Sequence, residues 1–282
     1  MPILPATTEM GAVDLTVADL ERSIAFYEAT VGLTVHGRDG GTARLGAGGP
    51  DLLRLTAEAG ARPARGTTGL YHFALLLPTR DDLARALQRI AVTGAPVQGF
   101  ADHGVSEALY LPDPDGNGIE IYRDRPRADW PRAGGKLQMF TAALDVQALL
   151  GELGPDPGPP GPAPAGTVMG HVHLHVSDLA AAESFYAGAL GFDVVQDVGS
   201  ALFVSAGGYH HHVGLNTWAG VGAPPPPAGS AGLRHAEIRL PSAEDVEAVA
   251  ARAAAAGGEP ADGPGGVLVA DPAGNRLLLT SP

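Results

Sequence analysis

Residues 10–35 read MGAVDLTVADLERSIAFYEATVGLTV, and residues 169–194 read MGHVHLHVSDLAAAESFYAGALGFDV. Met, Gly, Val, Leu, Val, Asp, Leu, Phe, Tyr and Gly recur between them at one offset, 169 − 10 = 159. Two further pairs extend the match: GLYHFALLLP at 69–78 with GLRHAEIRLP at 232–241, and DPDGN at 113–117 with DPAGN at 271–275. The chain is therefore an internal duplication, and a repeat of this length has to be read before any fold is assigned.

Each half divides again. An alternating apolar segment (Ala12 to Val17, His72 to Leu77, His171 to Val176, His235 to Leu240) has the period of two expected of a half-buried strand. An amphipathic helix follows, with Leu20, Ile24, Tyr27 and Val31 on one face in the first unit and Leu83, Leu87 and Ile90 in the second. Three short strands separated by Gly, Pro, Asp and Asn turns complete the unit. The pattern predicts an α+β fold of four βαβββ modules. The domains expected from it are 9–127 with two modules, a connecting segment 128–167 that ends in the linker GPDPGPPGPAPAG at 154–166, and 168–282 with two more.

Composition narrows the function. The 282 residues carry 18 Lys and Arg against 31 Asp and Glu, a formal charge of −13, with ten histidines and no cysteine. Thiol nucleophiles, Cys-held zinc and iron–sulfur clusters are excluded, so a bound metal has to be held by nitrogen and oxygen. The acidic balance argues against nucleic acid as a partner, and an aromatic fraction of 5% offers no stacking platform for single strands. No apolar run reaches the roughly 18 residues of a membrane span and no signal-like segment is evident, so a soluble cytoplasmic protein is expected, with a homodimer as the default assembly.

The H-V-x-L-x-V-x-D-L opening, the following F-Y and L-G pairs, and the D-P-D-G-N-x-I-E ending resemble the vicinal oxygen chelate superfamily of glyoxalases, bleomycin-resistance proteins and extradiol dioxygenases. The resemblance implies paired modules whose curved mixed sheets surround a metal cavity, with ligands on the first and last strands of each module. At those positions module one offers Ala12 and the apolar DLLRL. Module two offers His72 and Glu120, module three His171 and the run Tyr209-His210-His211-His212, and module four His235 with Leu278 where module two has Glu120. Only modules two and three together supply two imidazoles and one carboxylate, His72, His171 and Glu120, a donor set suited to non-heme Fe(II) with positions open for substrate and O₂; Mn(II) accepts the same ligands. His235 has no carboxylate in its module and is read as a hydrogen-bonded core residue.

A finer similarity is to extradiol ring-cleaving dioxygenases, on GHVHLHVSD at 170–178, GLYHFALL at 69–76, GIEIY at 118–122, GFADHGVSEALY at 99–110 and YHHHVGL at 209–215. It implies an Fe(II)-dependent enzyme acting on a catechol-like diol with O₂, with His211 as acid/base and His103 and Tyr110 orienting the substrate oxygens. His212 is the other candidate in the triple run, as acid/base or as a further ligand. The run is read as strand, with His210 and His212 on one face and His211 on the other. His173 and His175 share the His171 face and stand as cavity or solvated residues. His36 is expected on the surface. A metal-dependent glyoxalase-type lyase or isomerase, and an antibiotic-sequestering protein, are the rival readings.

Overall fold

The structure, a computed structural model, describes residues 3–282. It is a mixed α+β fold built from four βαβββ modules. The first runs β1 (Glu9–Val17), α1 (Leu20–Phe26), β2 (Thr34–Asp39), β3 (Thr42–Gly46) and β4 (Asp51–Ala57). The second runs β5 (Gly69–Leu76), α2 (Arg80–Thr93), β6 (Gly99–Asp102), β7 (Ser106–Pro112) and β8 (Gly118–Asp124). A connection with β9 (Arg132–Ala133), β10 (Lys136–Leu137), β11 (Ala142–Ala143) and α3 (Val146–Gly151) leads to the third module: β12 (Val168–His175), α4 (Leu179–Glu183), β13 (Asp193–Asp197), β14 (Ala201–Ser205) and β15 (Val213–Asn216). The fourth has β16 (Gly232–Arg239), α5 (Ala243–Ala255), β17 (Ala261–Gly263), β18 (Gly266–Ala270) and β19 (Arg276–Thr280). The large sheets hold eight and nine strands. No described helix is long and apolar enough to cross a membrane.

By contact the chain forms two compact units, residues 1–16, 62–71 and 170–282, and residues 17–61 and 72–169. In the first unit β12 pairs in parallel with β15, which continues antiparallel through β14 to β13. The fourth module repeats the same order, β16 parallel to β19 and onward to β18 and β17, and β1 adds antiparallel to β16 with Val13 opposite Ala236. In the second unit β5 pairs in parallel with β8, followed by β7, β6 and β11, and β2, β3 and β4 form a meander. Each parallel pair brings the first and last strand of a module side by side. That adjacency is what allows residues some fifty positions apart in sequence to share one site.

The opening strands are buried on both faces rather than alternately: Met169 to Leu174 of β12 are all buried, as are His72 to Leu75 of β5. Within each unit one face receives a helix, α5 against β18 and β19 and α2 against β8. The helix predicted over Leu20 to Val31 also differs in its last part. Regular α-helix stops at Phe26 and the chain widens into a π-helical turn, Tyr27–Val31, closed by the Gly32 N–H donating to the Tyr27 carbonyl at 2.9 Å. Gly32 then reverses the chain at φ +86°, a conformation that costs a residue with a Cβ. Module three repeats the device with Ser184–Leu190 and Gly191.

The DPDGN motif has a structural duty. Asp113 Oδ1 accepts the Asp115 and Asn117 backbone N–H groups, and its Oδ2 accepts Asn117 Nδ2 and the Tyr27 hydroxyl at 2.9 Å. Asp271 does the same with Ala273, Asn275 and Tyr186. Four accepted bonds satisfy a carboxylate that burial would otherwise make costly; burial pushes both carboxyls up despite those bonds. The Pro/Gly-rich linker lies along α2, where Arg85, Gln88 and Arg89 donate to the carbonyls of Pro157, Gly158 and Gly161. His36 is not a free surface residue: it is half-buried, with Nδ1 3.0 Å from Asp51 Oδ1.

Candidate metal centre

In the second unit the β5–β8 ladder sets His72 opposite Gly118 and Ala74 opposite Glu120, so His72 and Glu120 lie one side-chain repeat apart on adjacent parallel strands. His72 Nε2 stands 3.1 Å from Glu120 Oε2, and both residues are buried. A carboxylate and an imidazole facing each other out of water are tolerable when they share a proton or a cation.

In the first unit His171, on β12, is 1% exposed, and its ring centroid is 4.0 Å from that of His211. Among the described residues, His72, Glu120 and His171, each buried, each offer one ligand atom within 4.8 Å of the others. Metal bonds of about 2.0–2.2 Å place the donors around one ion about 3–4 Å apart. Two neutral nitrogens and one anionic oxygen in a dry setting fit a divalent ion of borderline character. His235 is outside this group; its Nε2 is 3.9 Å from Asp14 Oδ2, and Leu278 takes the place of a carboxylate.

Beside Glu120, the β7–β8 ladder pairs it directly with Tyr110. The Tyr110 hydroxyl is 2.8 Å from His103 Nε2, and His103 Nδ1 is 2.9 Å from the Phe140 carbonyl. A carbonyl only accepts, so the neutral His103 ring carries its hydrogen on Nδ1 and receives the tyrosine O–H on Nε2. The tyrosine oxygen keeps its lone pairs for a further donor.

The triple histidine run departs from the strand expectation. β15 begins only at Val213, so residues 209–212 form the turn out of β14 and strand alternation does not set their directions. Their contacts do. His211 Nδ1 is 2.8 Å from His210 Nδ1 and the His211 ring lies against His171. His212 turns the other way, its Nδ1 accepting the Ala206 N–H at 3.2 Å with Ser205 Oγ at 3.1 Å. One His212 nitrogen is thereby occupied, and His212 is not in the metal-holding group.

Three participants carried no sequence signal as site residues. Phe140 comes from the connecting segment and holds His103 through its backbone, which no side-chain pattern reveals. Phe203 lies beside His211, with centroids 5.1 Å apart. Asn216 accepts the His175 Nδ1–H at 2.7 Å and the Trp218 N–H at 3.0 Å on one oxygen.

The chain belongs to the Glyoxalase/Bleomycin resistance protein/Dioxygenase superfamily, whose model matches residues 9–121 and again residues 168–279. A catechol-2,3-dioxygenase of Bacillus subtilis (strain 168) is 48% identical to it over 256 residues, 89% of either chain. Two solved structures share the fold across nearly the whole length. Glyoxalase I from Zea mays superposes with a TM-score of 0.62 at 21% identity, covering 98% of this chain and 92% of its own. The cppA protein from Streptococcus pneumoniae TIGR4 superposes with a TM-score of 0.55 at 12% identity, covering 100% and 99%.

Proposed function

We propose that the protein is an Fe(II)-dependent extradiol dioxygenase that opens the ring of a catechol-like diol with O₂, with Mn(II) as the other ion its ligands accept. The observation that carries this reading is the buried convergence of His72, Glu120 and His171. The 48% identity to a catechol-2,3-dioxygenase supports it independently. Of the competing chemistries, neither a glyoxalase-type lyase nor antibiotic sequestration has a comparable observation behind it.

His72, His171 and Glu120 would hold the ion, and the ion would supply the Lewis acidity that lowers the pKa of a bound diol hydroxyl and a path by which the diol's own electrons reach O₂. The remaining duties fall on this chain's own groups. His211, buried against His171 and linked to His210, takes the proton of a diol hydroxyl at Nε2 and returns it later, a task an imidazole performs near neutral pH. Tyr110, held by His103, presents its oxygen to the substrate hydroxyls and fixes their orientation. The domains 9–127 and 168–282 then act together, since the donor set comes from modules two and three.

Anaerobic loading with Fe(II), followed by catechol and air, tests the proposal. A yellow ring-fission product is expected. Protein holding one iron per chain that yields no such product with catechol or substituted catechols overturns it.

A further inference from the structure

His103 lies in the turn between β6 and β7, and the connecting segment crosses that turn. β11 pairs with β6, Ala142 opposite Asp102 and Ala143 opposite Ala101. Just ahead of β11 the Phe140 N–H donates to the His103 carbonyl at 3.4 Å. The Phe140 carbonyl at 2.9 Å and the Thr141 Oγ1 at 3.3 Å both face His103 Nδ1. Both oxygens can accept from one N–H, so the segment holds the ring hydrogen on that nitrogen.

Gly104 is what lets the segment come so close. Its φ is +75°, and a Cβ there would stand 2.5 Å from Phe140 Cε1 and 2.9 Å from Pro131 Cγ. The turn beneath is tied down: the Gly104 N–H donates to Asp102 Oδ1, Arg125 donates to Asp102 Oδ2 at 2.8 Å, and the His103 N–H donates to the Ser106 carbonyl. Phe140, by contrast, is 49% exposed and rests on Gly104 rather than in a core. A side chain at position 104 would therefore displace the segment before the turn, and the Phe140 carbonyl would leave Nδ1 with it.

The effect passes to the ligand through Tyr110, half-buried like His103. With hydrogen on Nδ1, Nε2 accepts the Tyr110 O–H at 2.8 Å, and the tyrosine oxygen can only accept from whatever lies beside it. With Nδ1 released, the ring can carry its hydrogen on Nε2 and donate to Tyr110, whose own O–H then turns outward as a donor.

We propose that Gly104 is a positioning residue: by seating Phe140 and Thr141 on His103 it makes Tyr110 a pure acceptor, so that the site selects a ligand presenting a hydroxyl hydrogen to Tyr110 over an ether at the same place. This rests on the ring-cleaving reading for the diol itself and deepens it by naming the hydrogen-bonding state that the site accepts.

Long-range nitrogen–proton NMR correlation on the protein loaded with diamagnetic zinc reads the His103 tautomer, the signal being assigned by its loss in His103→Gln. Calorimetry of catechol and of guaiacol, its monomethyl ether, with the Fe(II)-loaded protein without O₂ reads the selectivity. Hydrogen on Nδ1 is expected in the unaltered protein. Gly104→Ala should populate the Nε2–H form and cut the preference for catechol about five- to tenfold, the scale of one hydrogen bond. Gly104→Asn, which tolerates the left-handed backbone but carries the same Cβ, should do likewise, so that backbone strain is separated from crowding. Phe140→Gly, at an exposed position, loosens the same contact without altering the turn. Hydrogen on Nε2 in the unaltered protein, a hydrogen that stays on Nδ1 in the variants, or a preference that does not move with the tautomer overturns the proposal. The expected tautomers and preference in a protein that opens no ring in air would instead sink the proposed reaction and leave the role of Gly104 standing.

Discussion

His72 Nε2 and Glu120 Oε2 face each other at 3.1 Å on neighbouring parallel strands, 48 residues apart in sequence and both out of solvent. Such a pair is cheap only when something positive is shared between them, and the divalent ion proposed above would meet that need.

Removing the carboxylate should therefore release the metal. Glu120→Ala is expected to lower iron retention at least about a hundredfold, read by metal analysis after dialysis, since a third of the protein ligands and their only charge are lost. His235→Ala should retain iron at the wild-type level. The reverse pattern would place the ion elsewhere.

Tyr110→Phe deletes the hydroxyl shared with His103 and keeps the ring. Activity should fall roughly 10- to 100-fold with metal content unchanged, the range associated with groups that orient rather than ligate. Steady-state kinetics alongside iron assays decide it; loss of iron in this variant would contradict the orienting role.

Acid stability should depend on Glu107. Burial pushes its carboxyl up, but hydrogen bonds from Arg80 and Arg123 outweigh that and hold it below the ordinary value. A carboxyl lowered in the folded state adds stability that is fully present above its unfolded pKa of about 4.3 and is lost as pH falls through the folded value. Glu107→Gln should cost about 1–3 kcal/mol at pH 7 and less at pH 3, as measured by urea titration at both pH values. An equal loss at both would mean the charge contributes nothing.

The duplicated tyrosine–aspartate bonds offer a test of additivity. Tyr27→Phe and Tyr186→Phe each remove a buried hydroxyl donor, to Asp113 at 2.9 Å and to Asp271 at 3.1 Å. Each should destabilise by about 1–3 kcal/mol, and the double variant by the sum to within about 0.5 kcal/mol, because the pairs share no partner. Chemical denaturation of the three variants settles the matter.

Much of the architecture was legible in the repeat. Strand and helix periodicities place the four modules because alternation and the i, i+4 spacing are local consequences of backbone geometry. They miss where that geometry bends: the π-helical turn after Phe26 obeys no sequence period and is closed by Gly32 and the bond of Tyr27 to Asp113, 86 residues away. The half-buried reading of β12 failed for a related reason, since alternation reports one wet face and this strand has none.

For the site, the sequence by itself determined the inventory. Ten histidines without a cysteine restrict any metal to nitrogen and oxygen ligands, and the resemblance to the superfamily marks His72 and His171 on opening strands and Glu120 on a closing strand as the positions where such ligands stand. Tertiary structure alone decided what each ring nitrogen does. His212 is turned to Ala206 while His211 lies on His171, and His103 has its hydrogen set by the carbonyl of Phe140, 37 residues on. A side chain's type is written in the chain, but its tautomer and direction depend on backbone groups brought beside it by folding, and those groups are the same at every residue.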